Sequence, residues 1–387
     1  MIVTSNCRLN PHKSGRNAEM LEAGLRRLVV GQDQAIAKIV DLYQMYMTGM
    51  SSPNRPLGNL LFLGPTGSGK TRVVEATAET LFGSPDAVVK INCAEYQHSH
   101  EVAKLIGAPP GYLGHRETHP ILSQEALNRS HSETLKLSLV LFDEIEKASD
   151  SLWNLLLGIL DKGSLVLGDN RHTDFSRSLI FLTSNLGATE MQGLVSPRWG
   201  FTTASQPTGP ESRLGDKLSR VGVEAARKKF TPEFINRLDA IVVFNALGET
   251  ELRQVAEIEL RRVQERILAS KAVPFVFRLT TAAVDQLLLE GTDARYGARH
   301  LRRAIDRLLV RPISNLLATE QVRTGDCVLI DSQPNHPEMV FQREAEALSS
   351  AAMARMARLP FAEAAARPAA ARAEPRFVQR LRACVDS

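Results

Sequence analysis

The sequence has little cysteine, and its few cysteines are scattered. Cys7, Cys93, Cys327 and Cys384 are the four cysteines among 387 residues. Such wide and irregular spacing matches neither a disulfide framework nor the ligand pattern of a zinc module. A disulfide-stabilised secreted protein and a zinc module are therefore excluded, and we expect a reducing, cytoplasmic environment.

Long apolar runs and a strong charge of one sign are also absent. No stretch approaches the roughly 18 consecutive apolar residues that indicate a membrane span. Residues 1–6 contain no basic segment followed by an apolar one, so we expect no export signal. Lysine and arginine number 47 against 43 acidic residues, a net charge of +4. This excess is too small to indicate nucleic acid or a membrane surface as a partner.

Five short apolar runs alternate with helix-length segments in the middle of the chain. They lie at 60–63, 87–91, 139–142, 179–182 and 241–244. This alternation predicts an α/β fold with a parallel sheet that helices cover on both faces. Ligands of such sheets bind at the carboxyl ends of the strands, so the residues that follow these runs are candidates for a site.

Changes in composition predict four segments. They are a lead-in segment at 1–16, a large α/β domain at 17–246, a smaller and mainly helical domain at 247–335, and an Ala/Arg-rich, low-complexity tail at 336–387. The large domain contains a long polar insertion at 190–229. In the smaller domain, 275–279 and 327–330 resemble short strands.

A glycine-rich phosphate-binding pattern follows the first apolar run. It fits G-x-x-x-x-G-K-[ST] and consists of Gly64, Pro65, Thr66, Gly67, Ser68, Gly69, Lys70 and Thr71. The glycines let backbone N–H groups turn towards phosphates, Lys70 would reach the β- and γ-phosphates, and the Thr71 hydroxyl would coordinate Mg²⁺. A glycine-rich turn that ends in Lys-Thr by chance is the alternative. The apolar run before it and the helical pattern after it favour a nucleotide site.

Polar side chains follow two more of the apolar runs. Asp143 would hold Mg²⁺ through water, and Glu144 would act as the general base that polarises the attacking water. Alone, this pair could equally be a solvated acidic turn. Asn185 could orient the water against the γ-phosphate, although an asparagine after a strand is more often a turn former.

Two arginines and one aromatic loop are further candidates. Arg237 or Arg299 could neutralise charge on the γ-phosphate, and a guanidinium supplied in trans would couple hydrolysis to assembly. On spacing alone, either arginine could be a surface ion-pair partner. Tyr112 and Leu113 lie between glycines, where a mobile loop could present a large apolar contact. A tyrosine that packs back on its own domain is the alternative.

In this order and spacing, the motifs resemble those of the Clp unfoldase family of AAA+ ATPases, and most closely its disaggregase's second ATPase ring. The resemblance extends from about residue 29 to residue 331. It also includes the segments 29–33, 107–114, 143–148, 183–185, 230–239 and 296–303. It implies an AAA+ P-loop NTPase fold, in which a large parallel-sheet subdomain precedes a small, mainly helical lid.

The resemblance also implies roles for individual residues. Val29 and Val30 would flank the adenine of ATP, Asn185 would be the first sensor, and Arg299 would be the second sensor on the lid. Arg237 would reach into the nucleotide site of the neighbouring subunit. Tyr112, with Leu113 beside it, would grip an extended polypeptide in the central pore of a homohexamer.

Several segments depart from the family pattern. The pore loop has Gly-Tyr-Leu-Gly where Gly-Tyr-Val-Gly is usual, and 115–120 replaces an acidic, glycine-rich stretch. Gly200 and Phe201 in the insertion could contact a peptidase, although Phe201 could instead pack on its own domain. An adaptor could also bind the insertion or the tail. We therefore expect an ATP-driven polypeptide unfoldase, with a nucleotide-gated scaffold or a peptidase-docked subunit as the alternatives.

Overall fold

The computed structural model describes most of the chain. The described residues are 10, 13–107, 120–188, 190–191, 211–270, 273–291, 299–333 and 338–357. They divide into two compact units. The first comprises the described residues up to Leu63, those from Lys70 to Ser184 and those from Ala225 to Val242. The second comprises Gly64–Gly69, the described part of 185–224 and the described residues from Val243 onward.

A five-stranded sheet forms the centre of the first unit. In chain order the strands are β1 Gly58–Leu63, β2 Val89–Asn92, β3 Ser138–Asp143, β4 Ser164–Val166, β5 His172–Asp174, β6 Ser178–Ser184 and β7 Ala240–Val243. The sheet has the order β2-β3-β6-β1-β7, and β4 pairs with β5 in a separate antiparallel hairpin. β1, β3 and β2 join the sheet through parallel pairings. The predicted parallel sheet is confirmed, and β1 and β6 are buried along their whole length, as strands covered on both faces must be.

Helices precede β1 and lie between several of the later strands. They are α1 Arg16–Leu28, α2 Asp33–Met47, α3 Lys70–Phe82, α4 Ala103–Ile106, α5 Gln124–Asn128, α6 Asp150–Lys162, α7 Glu211–Lys229 and α8 Pro232–Ile235. The 3₁₀ turns Cys93–Glu95, Ser99–Val102 and Ile145–Lys147 lie between them. α1 buries Ala18, Leu21 and Leu25, which recur every three or four residues and so lie along one face. None of the described helices is both long enough and apolar enough to span a lipid bilayer.

The second unit combines helices with a three-stranded sheet. Its elements are α9 Glu249–Ala269, β8 Val276–Leu279, α10 Thr281–Gly291, α11 Arg299–Ile305, the π-helical turn Asp306–Val310, α12 Arg311–Ala318, β9 Cys327–Ser332, β10 Met339–Ala345 and α13 Ser350–Met356. The sheet order is β10-β9-β8, with β8 parallel and β10 antiparallel to β9. β8 and β9 lie where the sequence predicts strand-like pieces.

A buried side-chain amide links the core of this unit to the edge of its sheet. Leu252, Leu260 and other apolar residues of α9 pack with Phe275 and with residues of α10. Gln264 of α9 is 1% exposed; its Nε2 donates to the Phe275 carbonyl and its Oε1 accepts from the Phe277 N–H, both at 2.9 Å. Gln264 thereby provides partners for backbone groups along the sheet edge formed by β8.

β10 lies in the segment that composition assigns to the tail. Only Met339 of this strand is buried, and its apolar part, 339–341, is shorter than the runs that predict the strands of the first sheet. Arg343, where the Ala/Arg-biased composition begins, lies on β10 and places its Nε 3.1 Å from Asp326, whose side chain is 3% exposed. Pairing with β9, this ion pair and the packing of Met339 and Phe341 on the core hold β10 in place.

Candidate functional site

The central strands of the first unit end at the same edge of the sheet. Leu63 of β1 is level with Ser184 of β6, and Phe142 of β3 is level with Leu182. The chain continues from β1 into Gly64, from β3 into Glu144 and from β6 into Asn185. The predicted phosphate loop, acidic pair and amide therefore all begin at the carboxyl edge, where parallel sheets bind ligands.

The phosphate loop has a backbone shape that requires glycine. Gly64 and Gly69 have φ values of 146° and 98°, which side chains rarely allow. A Cβ on Gly64 would lie 2.5 Å from the Phe244 carbonyl oxygen, so the loop has no room for one. α3 begins at Lys70, the residue that follows the loop. A glycine-rich backbone that leads directly into a helix N-terminus is the sequence of elements that binds phosphate in nucleotide sites.

The acidic pair is held by a threonine and a lysine. The Thr183 hydroxyl donates to Asp143 Oδ1 and accepts from the Glu144 N–H at 3.1 Å. Glu144 has φ 57° and ψ 50°, a left-handed conformation unusual for a residue with a side chain. Its Oε2 is 2.6 Å from Lys147 Nζ, and this carboxylate raises the pKa of Lys147. Lys147 therefore stays protonated at neutral pH.

A buried thiol lies near the acidic pair. Cys93 is 0% exposed, and burial is the main cause that raises its pKa. The negative charges of Asp143, Glu146 and Glu144 raise it further. The thiol is therefore protonated at neutral pH, which makes it a packing group and not a nucleophile.

Asn185 contacts the phosphate loop. Its Oδ1 lies 3.5 Å from the hydroxyl oxygen of Thr66, at the long limit of a hydrogen bond. The structure thus brings the predicted sensor amide to the predicted phosphate loop. Its role in orienting water stays a prediction.

Arg237 makes its described contacts within its own chain. Its Nη1 donates to the Glu233 carbonyl at 2.9 Å, and its Nη2 lies 3.0 Å from the Glu233 carboxylate and 3.7 Å from that of Asp161. The side chain is 21% exposed. Within one subunit, Arg237 is therefore an ion-pair partner, which is one of the two roles that its sequence position allows. Its action on a neighbouring subunit stays a prediction.

The segment that carries Arg237 is fixed on both sides. Before it, the rings of Phe230, Phe234 and Trp153 of α6 cluster with centroids 4.8–5.3 Å apart. After it, Asp239 accepts from the N–H of Asn59 at 2.8 Å and forms an ion pair with Arg55 at 2.6 Å. A short segment held at both ends can present a guanidinium at a fixed position.

The remaining candidate residues either belong to other elements or lie outside the described part of the chain. Val29 is buried and Val30 half-buried, in the turn between α1 and α2. Arg299 is exposed at the first residue of α11, in the second unit. Tyr112 and Leu113 lie outside the described residues, as do Gly200, Phe201 and the end of the tail from residue 358.

Sequence reasoning assigned no role to Thr183 or Lys147. Both belong to motifs that carry the family resemblance, but threonine in a buried strand is common and Lys147 resembles a solvated charge. A weak signal was available for Lys147, because it follows Glu144 by three residues in a turn. Thr183 is 40 residues from Asp143, so only the pairing of β3 with β6 reveals the contact.

Two family models match the chain. The model described as AAA domain (Cdc48 subfamily) matches residues 55–241. The model described as the C-terminal, D2-small domain of ClpB protein matches residues 247–330. The first match contains the phosphate loop and the acidic pair, and the second contains most of the second unit's core.

Individual relatives agree with these matches. Chaperone protein ClpB 2 of Thermosynechococcus vestitus is 40% identical over 311 residues, which are 80% of this chain and 32% of the relative. ClpB of Bdellovibrio bacteriovorus is 38% identical over 310 residues, 80% of this chain and 33% of the relative. The chain spans about a third of the length of these curated relatives.

A solved structure is similar to the chain as well. It is a closed-state reconstruction of Hsp104 with ATPγS and FITC casein, and the TM-score is 0.68 at 27% sequence identity. The similarity covers 84% of this chain and 52% of the other.

Proposed function

The chain belongs to the Clp family of AAA+ ATPases, and from this membership and its site we propose that it hydrolyses ATP to remodel polypeptides. The observation that carries the proposal is the common sheet edge from which the phosphate loop, the acidic pair and Asn185 all begin. A glycine cradle supports nucleotide binding, and two carboxylates directly after a neighbouring strand support hydrolysis.

In the proposed mechanism, the loop and Lys70 bind the phosphates. The backbone N–H groups of Gly64–Gly69 and the N-terminus of α3 would donate to phosphate oxygens. Lys70 is 8% exposed, so its charge would act on the β- and γ-phosphates with little screening by water. Val29 and Val30 would contact the adenine, an apolar ring that suits two valines.

The oxygen ligands near the loop suit magnesium. Thr71, the second residue of α3, offers a hydroxyl, and Asp143 offers a carboxylate at the end of β3. Hard oxygen donors are what Mg²⁺ prefers in proteins, so these residues fit the ion. When bound, Mg²⁺ would neutralise charge on the phosphate oxygens.

Glu144 would act as the general base. Its carboxylate would accept a proton from the attacking water, while Asn185 orients that water against the γ-phosphate. Arg237 of a neighbouring subunit and Arg299 would stabilise the charge that grows on the transferred phosphoryl group. The ion pair with Lys147 would hold the Glu144 carboxylate until nucleotide and water arrive.

Polypeptide threading is the work that we assign to this hydrolysis. The related ClpB proteins are named chaperones, and the similar Hsp104 reconstruction is of that protein with casein. We infer a homohexamer in which Tyr112 and Leu113 contact an extended polypeptide. A peptidase or adaptor would bind through the insertion 190–229 or the tail, and the site itself would lie in the cytoplasm.

Steady-state ATP hydrolysis with and without an unfolded model protein tests the proposal. We expect basal hydrolysis in the wild type, stimulation by the polypeptide, and loss of that stimulation alone in Tyr112→Ala. Glu144→Gln is the control for background ATPase, because it should bind ATP and not turn it over.

The outcomes separate the functions. Full hydrolysis by Glu144→Gln would contradict the assigned base. Hydrolysis that is indifferent both to polypeptide and to Tyr112→Ala would contradict threading and favour a nucleotide-gated scaffold. Activity retained in Tyr112→Ala but lost on deletion of the insertion would favour the scaffold further.

A further inference from the structure

The Thr183 hydroxyl is the point at which the two acids of the site are joined. Thr183 is 1% exposed on β6, one residue beyond the level at which Leu182 faces Phe142 of β3. The same register places Thr183 beside Asp143. Its hydroxyl donates its one proton to Asp143 Oδ1 and accepts the N–H of Glu144 at 3.1 Å.

This contact supports an unusual backbone. Glu144 has φ 57° and ψ 50°, a left-handed conformation that is unfavourable for a residue with a side chain. Such a conformation persists only where the surroundings hold it. Glu144 is the first residue after β3, and the hydrogen bond from its N–H to Thr183 Oγ1 restrains the backbone at this position.

The two bonds have different consequences for the site. The bond to Asp143 fixes the rotation of that carboxylate and therefore the direction in which its other oxygen points. The bond to the Glu144 N–H fixes where the chain turns, and with it the direction of the Glu144 side chain. A single hydroxyl thus sets the relative orientation of a metal-binding acid and a base on one strand end.

We propose that Thr183 is a positioning residue for ATP hydrolysis, acting through Asp143 and Glu144 without touching the nucleotide. The inference rests on the proposed ATPase function. A positioning role requires the hydroxyl of Thr183 and not its methyl group, whereas a packing role requires the methyl group.

Two substitutions at this position separate hydroxyl from shape. Thr183→Val keeps the shape and removes the hydroxyl, and Thr183→Ser keeps the hydroxyl and removes the methyl group. We expect kcat in Thr183→Val to fall about 10- to 100-fold, as a misplaced catalytic group does, and kcat in Thr183→Ser to stay within about threefold of wild type. A packing role predicts the opposite order, because only serine leaves a cavity.

A binding measurement provides a second readout. Affinity for a fluorescent ADP analogue without Mg²⁺ should be the same in wild type, Thr183→Val and Thr183→Ser, since Thr183 does not contact the nucleotide. The gain in affinity on adding Mg²⁺ should be smaller in Thr183→Val alone, because Asp143 is no longer oriented. If Thr183→Val does not fold, Thr183→Ala replaces it, and comparison with Thr183→Ser isolates the hydroxyl because neither variant has the methyl group.

Thr173→Val is the matched control. Thr173 is 0% exposed on β5, and its hydroxyl has no hydrogen-bond partner among the described residues. The Thr173→Val protein should hydrolyse ATP at the wild-type rate. This result would show that replacing a buried threonine by valine does not itself impair this unit.

The failures are distinguishable. A wild type without ATPase activity would contradict the proposed function. An active wild type with equal kcat in Thr183→Val, or with Thr183→Ser the more impaired of the two, would overturn the positioning role while leaving that function intact.

Discussion

At Gly64 the backbone adopts a conformation in which a side chain has no space. With φ at 146° and a Cβ position 2.5 Å from the Phe244 carbonyl oxygen, Gly64→Ala must shift the backbone at the start of the phosphate loop. We expect it to lower nucleotide affinity at least tenfold and to cost about 1–3 kcal/mol of unfolding free energy. Titration with a fluorescent nucleotide and urea denaturation measure the two effects.

Gly158→Ala provides the control for adding a methyl group. Gly158 lies in the middle of α6, and a Cβ there would meet no atom within 4 Å. The substitution should raise the unfolding free energy by about 0.5–1 kcal/mol, because alanine is the better helix former. It should leave nucleotide binding unchanged. Equal nucleotide affinity in Gly64→Ala and Gly158→Ala would contradict the loop assignment.

The sequence alone could identify those site residues that belong to a local motif. Lys70 and Asp143 are recognised because a local pattern surrounds each, a glycine loop in one case and an apolar strand in the other. Thr183 depends instead on a partner 40 residues away, and its hydrogen bond exists only once β3 and β6 pair in register. The glycines around Tyr112 mark it as a candidate, and its role in the pore is implied by the resemblance alone.

Among the elements, β1 contacts the arginine segment through the backbone of Asn59 and also through its buried side-chain amide. Asn59 is 0% exposed, and its Nδ2 donates to the carbonyls of Arg237 at 2.9 Å and Leu160 at 3.2 Å. Asn59→Ala should lower the unfolding free energy by about 2–4 kcal/mol, because two carbonyls lose their donor. It should also lower kcat while nucleotide affinity is retained. Urea denaturation and ATP hydrolysis measure these changes.

Asn128→Ala serves as the comparison. Asn128 ends α5 and is exposed, where its Oδ1 accepts from Gln124 at 3.0 Å. An exposed bond of this kind contributes little, so the unfolding free energy should change by less than about 0.5 kcal/mol. A folded Asn59→Ala protein with wild-type kcat would show that the arginine segment does not depend on the Asn59 side chain.

Strands that coincide with an apolar run of four or five residues could be predicted, and strands without such a run could not. Each of the five strands of the first sheet overlaps one of these runs, with edges displaced by up to two residues, as β2 begins at Val89 and not at 87. β4 and β5 are three residues long and largely polar. β10 begins with only three apolar residues, 339–341, and pairs with β9. Strands that depend on pairing with a distant segment show no periodic apolar pattern, so a single sequence does not predict them.

For the whole molecule, the proposed assembly depends on where Arg237 acts. Its described contacts are to Glu233 and Asp161 of its own chain, so within one subunit it neutralises two acids. Action in trans means that each nucleotide site takes its arginine from a neighbour around a head-to-tail ring. Arg237→Ala should then bind ATP normally and fail to hydrolyse it, as nucleotide titration and phosphate release would show.

Mixing two inactive subunits tests this arrangement directly. Lys70→Ala subunits should not bind ATP but retain Arg237, and Arg237→Ala subunits retain an intact phosphate loop. In an equal mixture, half of the subunits keep the loop and half of those have a neighbour with the arginine. Hydrolysis should therefore return to about a quarter of the wild-type rate per subunit if the ring assembles at random. A mixture as inactive as its components, in oligomers of wild-type size, would contradict action in trans, since only exchange of residues between subunits can combine the two halves of the site.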